Sequence, residues 1–194
     1  MTLKDITVKQ YFDILDLIEN EKDPVSLNAE IVKIIWDVDA ADIPYVEFIN
    51  RINELKFLTE EYVPAMPKEV VIDGIKFHPV LDMSKITTAQ YIDFQEFLKR
   101  NDHKKLLNVF FVTDEGYGKD YSDLLWEKLS AKDYLDYKSF FLLLLRRLTA
   151  DSLLSSEKMM KKMYKKEKDQ DKKRELLEKI AKIRLARNEV DFPM

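Results

Sequence analysis

The sequence predicts a mainly α-helical protein carrying one small β-hairpin, and three observations point there. Only three glycines and six prolines punctuate 194 residues, so long stretches run without a helix breaker. Between residues 119 and 192 there is no Gly or Pro at all. A single Asp73-Gly74 pair lies between β-branched runs, which is the strongest short-range hairpin signal. With 46% apolar and 11% aromatic residues, the chain has enough side-chain volume for a real core.

The first helix is expected over about 7–20. Thr7 is its N-cap, with a hydroxyl that accepts from the amide three residues on, while Gln10 reaches back to the amide of the cap. Ile6 and Tyr11 are placed as a hydrophobic staple. Tyr11, Ile14, Leu15 and Ile18 form the expected inward face. Asp23-Pro24 starts a second helix, about 27–38, with Leu27, Ile31, Ile34, Ile35 and Val38 inward and Trp36 at the margin. Ile43-Pro44 opens a third, about 44–57, carrying Val46, Ile49, Ile52 and Leu55. Pro64 and Pro67 bracket a connector.

Residues 69–77 read as the hairpin. A type I′ turn at Asp73 and Gly74 needs positive φ at both positions, and Pro79 closes the second strand. Residues 86–93 then repeat residues 6–13, with five identities at an offset of 80. Thr87 and Gln90 take the places of Thr7 and Gln10 at the start of a helix running to about Arg100. Two good helix starts and two related units explain this repeat equally well.

Residues 106–112 form a buried element, read as helix, although 109–112 also suit a strand. Residues 116–118 are a loop, and 122–129 a short helix. The run 130–133 resembles a capping motif for a long one. Phe140, Phe141, Leu143, Leu144, Leu145 and Leu148 belong to a helix expected to be buried nearly all round. The expected organisation is an N-terminal helical unit (1–62), a hairpin plus helical core (63–156) and a basic amphipathic C-terminal helical arm (157–194).

The net charge of −4 conceals an asymmetry. Residues 157–187 hold 13 Lys/Arg against 6 Asp/Glu, whereas residues 1–156 hold 19 against 28. An acidic body with a basic segment marks a surface that leans on something else. In the arm, Met159, Met160, Met163 and Tyr164, with Leu176, Leu177, Ile180 and Ile183, suit a helix docking in a groove of another protein. Lys165, Lys166, Lys172, Lys173 and Arg174 frame that stripe and could neutralise phosphates instead. Interleaved acidic residues and a single aromatic side chain favour a protein partner over nucleic acid. Residues 166–174 contain nothing apolar, so that stretch is expected to be solvated, hinged or held by a partner.

Catalysis is not predicted. The absence of cysteine removes thiolate nucleophiles, thiolate metal sites and disulfides. His78 and His103 stand apart from any ligand-spaced cluster and are read as structural or solvated. The three glycines make no phosphate cradle. Residues 37–42 resemble a Ca²⁺ loop but lack its central Gly and downstream Glu. No cofactor or metal is expected. The first 20 residues are studded with charge and do not read as a signal peptide, and the longest apolar run, 140–145, is far short of a membrane span.

The order of features carries a resemblance. A hairpin precedes Asp82-Met83-Ser84-Lys85-Ile86-Thr87-Thr88-Ala89-Gln90-Tyr91-Ile92-Asp93-Phe94-Gln95-Glu96-Phe97. Then come Leu107-Asn108-Val109-Phe110-Phe111-Val112, the Gly-Tyr-Gly loop and Ser139-Phe140-Phe141. With the run from Phe48 to Leu58, this resembles small tail-module proteins of tailed bacteriophages of gut Bacteroidales, including crAss-like phages. The likeness covers roughly residues 6–150, and the charged C-terminal helix is less typical of the group. It implies a virion tail or neck structural protein in many copies, such as a ring subunit, present in host cytoplasm during assembly. Alternatively it implies a tail assembly chaperone that leaves before maturation. It brings no catalytic residues. A nucleic-acid-binding accessory factor using the basic arm is the remaining alternative.

Overall fold

Thr7 caps the first helix as its side chain requires. Its Oγ1 accepts from Gln10 N (3.2 Å), and Gln10 Oε1 accepts from Thr7 N (2.9 Å), so the reciprocal box is complete at the start of Val8–Asn20 (α1). The computed structural model describes residues 1–21 and 23–191, without the side chains of Met83, Leu145, Leu148 and residues 187–191. Among the described residues there are eight α-helices and one three-stranded antiparallel sheet, a mainly α fold with a small β element. They group into two compact units, Met1–Lys138 and Ser139–Met194.

In the first unit, α1 packs against Pro24–Trp36 (α2), which Asp23 caps by accepting from Ser26 N at 2.8 Å. Helix α2 ends at Asp37 in the left-handed region (φ 53°), so the chain turns away sharply. Tyr45–Glu54 (α3) then runs into a 3₁₀ turn, Leu55–Leu58. Ile6, Ile14, Ile31, Leu55, Phe57 and Ala131 make one buried cluster, with Tyr11, Leu17, Leu27, Ile34 and Ile35 packed on it. The inward face of α1 therefore differs from the expected one. Leu17 packs inward, while Leu15 and Ile18 are exposed, at 38% and 48%. Val46 on α3 is exposed as well.

The hairpin forms where the Asp-Gly pair places it. Val70–Ile72 (β1) and Ile75–Pro79 (β2) pair with Ile72 opposite Ile75, and the two turn residues have φ of 50° and 78°. A third strand joins them. Thr88–Lys99 (α4) is followed by His103–Phe110 (α5), and the chain passes directly into Phe111–Val112 (β3), which pairs with His78 and Pro79 of β2. The apolar run 106–112 is thus helix first and strand last. Thr87 Oγ1 accepts from Gln90 N (3.1 Å), repeating half of the first cap. The other half changes: the Gln90 amide, buried in the core, donates from Nε2 to Val109 O of α5 at 2.8 Å. The Gln10 amide similarly donates to Ile34 O at the end of α2, so each glutamine ties its helix to the next one's C-terminal turn.

Ser122–Lys128 (α6) leads to Ala131–Lys166 (α7), where Ser130 Oγ accepts from Asp133 N (3.1 Å) as the capping motif predicts. The strand-like segment before α1 runs antiparallel to this entry. Thr7 bridges Ser130, Val8 N donates to Leu129 O (2.9 Å) and Ala131 N to Ile6 O (2.9 Å). Tyr137, fully buried on α7, packs against Phe110 and Phe111 (4.7 and 5.1 Å between centroids), and its hydroxyl donates to Val80 O (2.8 Å). These ties place the N-terminal helices, the hairpin and the start of α7 in one unit. That differs from the expected division at 62/63.

The second unit holds the remainder of α7 and Gln170–Asp191 (α8). The segment 139–156 thus belongs with 157–194. Burial nearly all round does not hold for it: Phe141 is buried, but Leu142 and Leu143 are exposed at 45% and 63%. The side chains of Leu145 and Leu148 lie outside the described residues.

Candidate partner-binding surface

The charged C-terminal sequence folds back on itself. Residues 167–169 are the turn, and two carboxylates build it. Glu167 Oε1 accepts from the amides of Lys168 (2.8 Å) and Asp169 (3.0 Å), and Asp169 Oδ1 accepts from Asp171 N (2.9 Å) at the start of α8. The polar stretch forms a turn between two helices, and most of its side chains are exposed to solvent. Two side-chain contacts show that α7 and α8 run antiparallel: Lys173 Nζ sits 5.8 Å from the Tyr164 ring, and Arg184 Nε donates to Glu157 Oε1 at 2.8 Å.

That register places Ile180 level with Glu157 and Met160. From residue 151 on, the half-buried or buried helical positions are Leu153, Ser156, Glu157, Met160 and Tyr164 on α7 and, among the described side chains, Lys173, Leu176, Ile180, Ile183 and Ala186 on α8. Ser156 apart, their spacing of three and four is that of a helix-pairing seam. Most of the stripe expected to await a partner is therefore turned toward the chain's own second helix. Met159, Met163 and Leu177 remain exposed, at 53%, 49% and 50%. Lys165, Lys166, Lys172 and Arg174 are exposed as well.

Glu157 is the residue that composition alone passes over. It takes an inward seam position and is 3% exposed, paired with Lys161 Nζ (2.7 Å) and Arg184. A charge in an otherwise apolar 3–4 spacing is the signal that could have marked it. Its hydrogen bonds from Lys161 and Arg184 lower its pKa to about 2. The sign follows from that direction. A carboxylate held below its ordinary 4.5 contributes stability above that pH and loses it as the pH falls toward 2. Wild-type hairpin helicity is expected to weaken over that interval, and Glu157→Gln to remove this part of the pH dependence. Circular dichroism on both proteins checks it. Identical acid profiles would show that Glu157 is not the titrating group.

The other sequence-noted groups serve the first unit. His78 has Nδ1 2.6 Å from Glu69 and Nε2 2.6 Å from Asp114, so the ring joins the approach to β1 to the turn after β3. With carboxylates on opposite ring edges, the three groups do not converge on one point as metal ligands would. His103 stacks on Phe12 at 4.7 Å, and burial, followed by the nearby Lys138 charge, lowers its pKa. The Tyr117 hydroxyl of the Gly-Tyr-Gly loop donates to Asp93 at 2.6 Å, where burial raises its pKa first and that hydrogen bond second. Lys105 and Asp120 pair beside it.

The two units carry opposite charge. Residues 1–138 hold 17 Lys/Arg against 27 Asp/Glu, and residues 139–194 hold 15 against 9. Comparison with family models, curated proteins and solved structures finds no match to this chain. No described helix is long and apolar enough to cross a membrane.

Proposed function

We propose that this chain is a non-enzymatic structural protein of a bacteriophage tail or neck, held in the virion in multiple copies by protein–protein contacts. The observation that carries the reading is the pairing of an acidic helical unit with a basic helical hairpin that keeps Met159 and Met163 in solvent. Exposed methionines beside lysines suit an adaptable protein-binding face. The resemblance of residues 6–150 to tail-module proteins supplies the setting, the tail of a virion assembled in host cytoplasm. The titratable groups described above pair with one another in structural roles, which fits assembly better than catalysis.

Quantitative mass spectrometry of purified particles of the encoding phage tests the reading. Stoichiometric presence relative to a ring or portal protein is expected. Abundance in infected lysate with absence from particles would replace it with the assembly chaperone.

A further inference from the structure

The geometry points to a head-to-tail contact between copies of this chain. In it, the Met159–Lys162–Met163–Lys166 stripe of one hairpin docks on the exposed end of α1 in the next copy. The inference rests on the multi-copy reading above and names its surfaces. On α7 these four residues follow one another at spacings of three, one and three, so they share a face, and all four are exposed. Lys161 is engaged by Glu157, whereas no described carboxylate pairs with Lys162 or Lys166.

The receiving surface is an unfinished apolar stripe. Helix α1 buries Val8 completely and packs Tyr11 on the core, but the same stripe reaches solvent at Leu15 and Ile18. Asp16 and Glu19 flank those two side chains, both exposed, and no described basic side chain pairs with either. That separates this place from two other exposed apolar patches of the first unit, and it shares the property with Val63 beside Glu60 and Glu61. Glu47, beside Tyr45 and Val46, is bound to Arg51, and Glu96, on the helix with Tyr91 and Ile92, to Arg100. Asp16 Oδ1 accepts from Asn20 Nδ2 at 3.2 Å, a neutral partner. An acidic apolar ridge whose carboxylates pair with no described cation and a basic apolar stripe whose lysines pair with no described anion are complementary in both respects.

The two surfaces are different patches of one chain, so the contact is heterologous. Such contacts close into rings when the rotation permits, and otherwise propagate as filaments. A contact between two short helix segments lies at the small end of specific interfaces, roughly 1,200 Å² or less in total. A lone pair is therefore weak, and the closed ring, where each copy makes two contacts, is the stable product.

Sedimentation velocity on the full chain over a wide concentration range tests this. The variants are Lys162→Glu/Lys166→Glu and Asp16→Lys/Glu19→Lys. The wild type is expected to self-associate, more strongly at low salt. Each double variant alone sets like charges against each other and is expected to associate at least about tenfold more weakly. In an equimolar mixture each variant meets opposite charge on the other, so alternating chains and even-membered rings are expected to recover assembly. All four positions are exposed, so unchanged circular dichroism certifies the fold. A wild type that stays monomeric, variants that assemble as the wild type does, or a mixture that stays dissociated would each overturn the contact. None of those results removes the protein from particles, and its absence from particles would leave the sedimentation result standing. The two proposals therefore fail separately.

Discussion

Tyr137→Ala is expected to lower the stability of the first unit by about 3–5 kcal/mol, enough to leave much of it unfolded. Tyr137 is fully buried and packs on two aromatic rings that belong to different elements, Phe110 ending α5 and Phe111 beginning β3. Its hydroxyl also satisfies Val80 O just past β2. Truncation thus opens a cavity where helix, sheet and α7 meet, and it strands a carbonyl. Tyr137→Phe keeps the ring contacts and loses only the hydroxyl, costing about 1–2 kcal/mol. Urea denaturation followed by tryptophan fluorescence measures both, because Trp36 and Trp126 both lie in the first unit. A loss below about 1 kcal/mol for the alanine variant would show that the site refills and is not a keystone.

Asp136→Ala is expected to cost about 2–4 kcal/mol and to release the connector between α3 and β1. The Asp136 carboxylate is 4% exposed and accepts from Ala65 N at 2.7 Å, from the Tyr62 hydroxyl and from Lys132. Burial pushes its pKa up, but the hydrogen bonds from Lys132, Tyr62 and Ala65 together outweigh it, leaving the value below 3.8. Its contribution is therefore present above about pH 4 and fades as the pH falls through that depressed value. Removing the side chain takes the acceptor from the Ala65 amide and the Lys132 ammonium, and leaves the Tyr62 hydroxyl only Lys132 O at 3.2 Å. Trypsin cleavage after the exposed Lys68 should accelerate at least about tenfold, while the tryptophan signal reports the global loss. Unchanged cleavage would mean that other contacts hold residues 59–69.

Much of the fold is legible because its signals are local. Thr7, Asp23, Thr87 and Ser130 cap helices with their own side chains, and Asp73-Gly74 needs no distant partner to turn. What escapes a linear reading depends on contacts across the chain. Phe111 and Val112 become strand because His78 and Pro79 lie beside them, whereas the run 109–112 read alone suits helix or strand. Gln90 matches Gln10 in sequence, and each donates its amide N–H to the next helix's last turn, at Val109 O and Ile34 O, partners that no local pattern names. Periodicity finds the stripe through Leu176, Ile180 and Ile183 but is silent on what covers it, which depends on Glu157 and Arg184, 27 positions apart. The exposure of Leu15 and Ile18 is equally tertiary. Helix α1 outlasts its support at that end.

The pairing of residues 6–8 with 129–131 has a consequence for how the protein is made. Ile6 and Leu129 are each 1% exposed and Ala131 is fully buried, so the opening segment of the chain completes its core only against residues translated more than 120 positions later. At about 5–20 residues per second, the ribosome leaves the start of α1 without its partners at 129–131 for roughly 6–25 seconds, although α2 can pack on it sooner. During that interval its apolar stripe, Val8 and Tyr11 included, is open to chaperones and to neighbouring nascent chains. The late arrival of α7 ends the exposure at Val8 and Tyr11 and leaves it at Leu15 and Ile18. Closure of the first unit thus waits for residues 129–131, and a truncated chain ending before residue 129 should be captured by chaperones rather than fold.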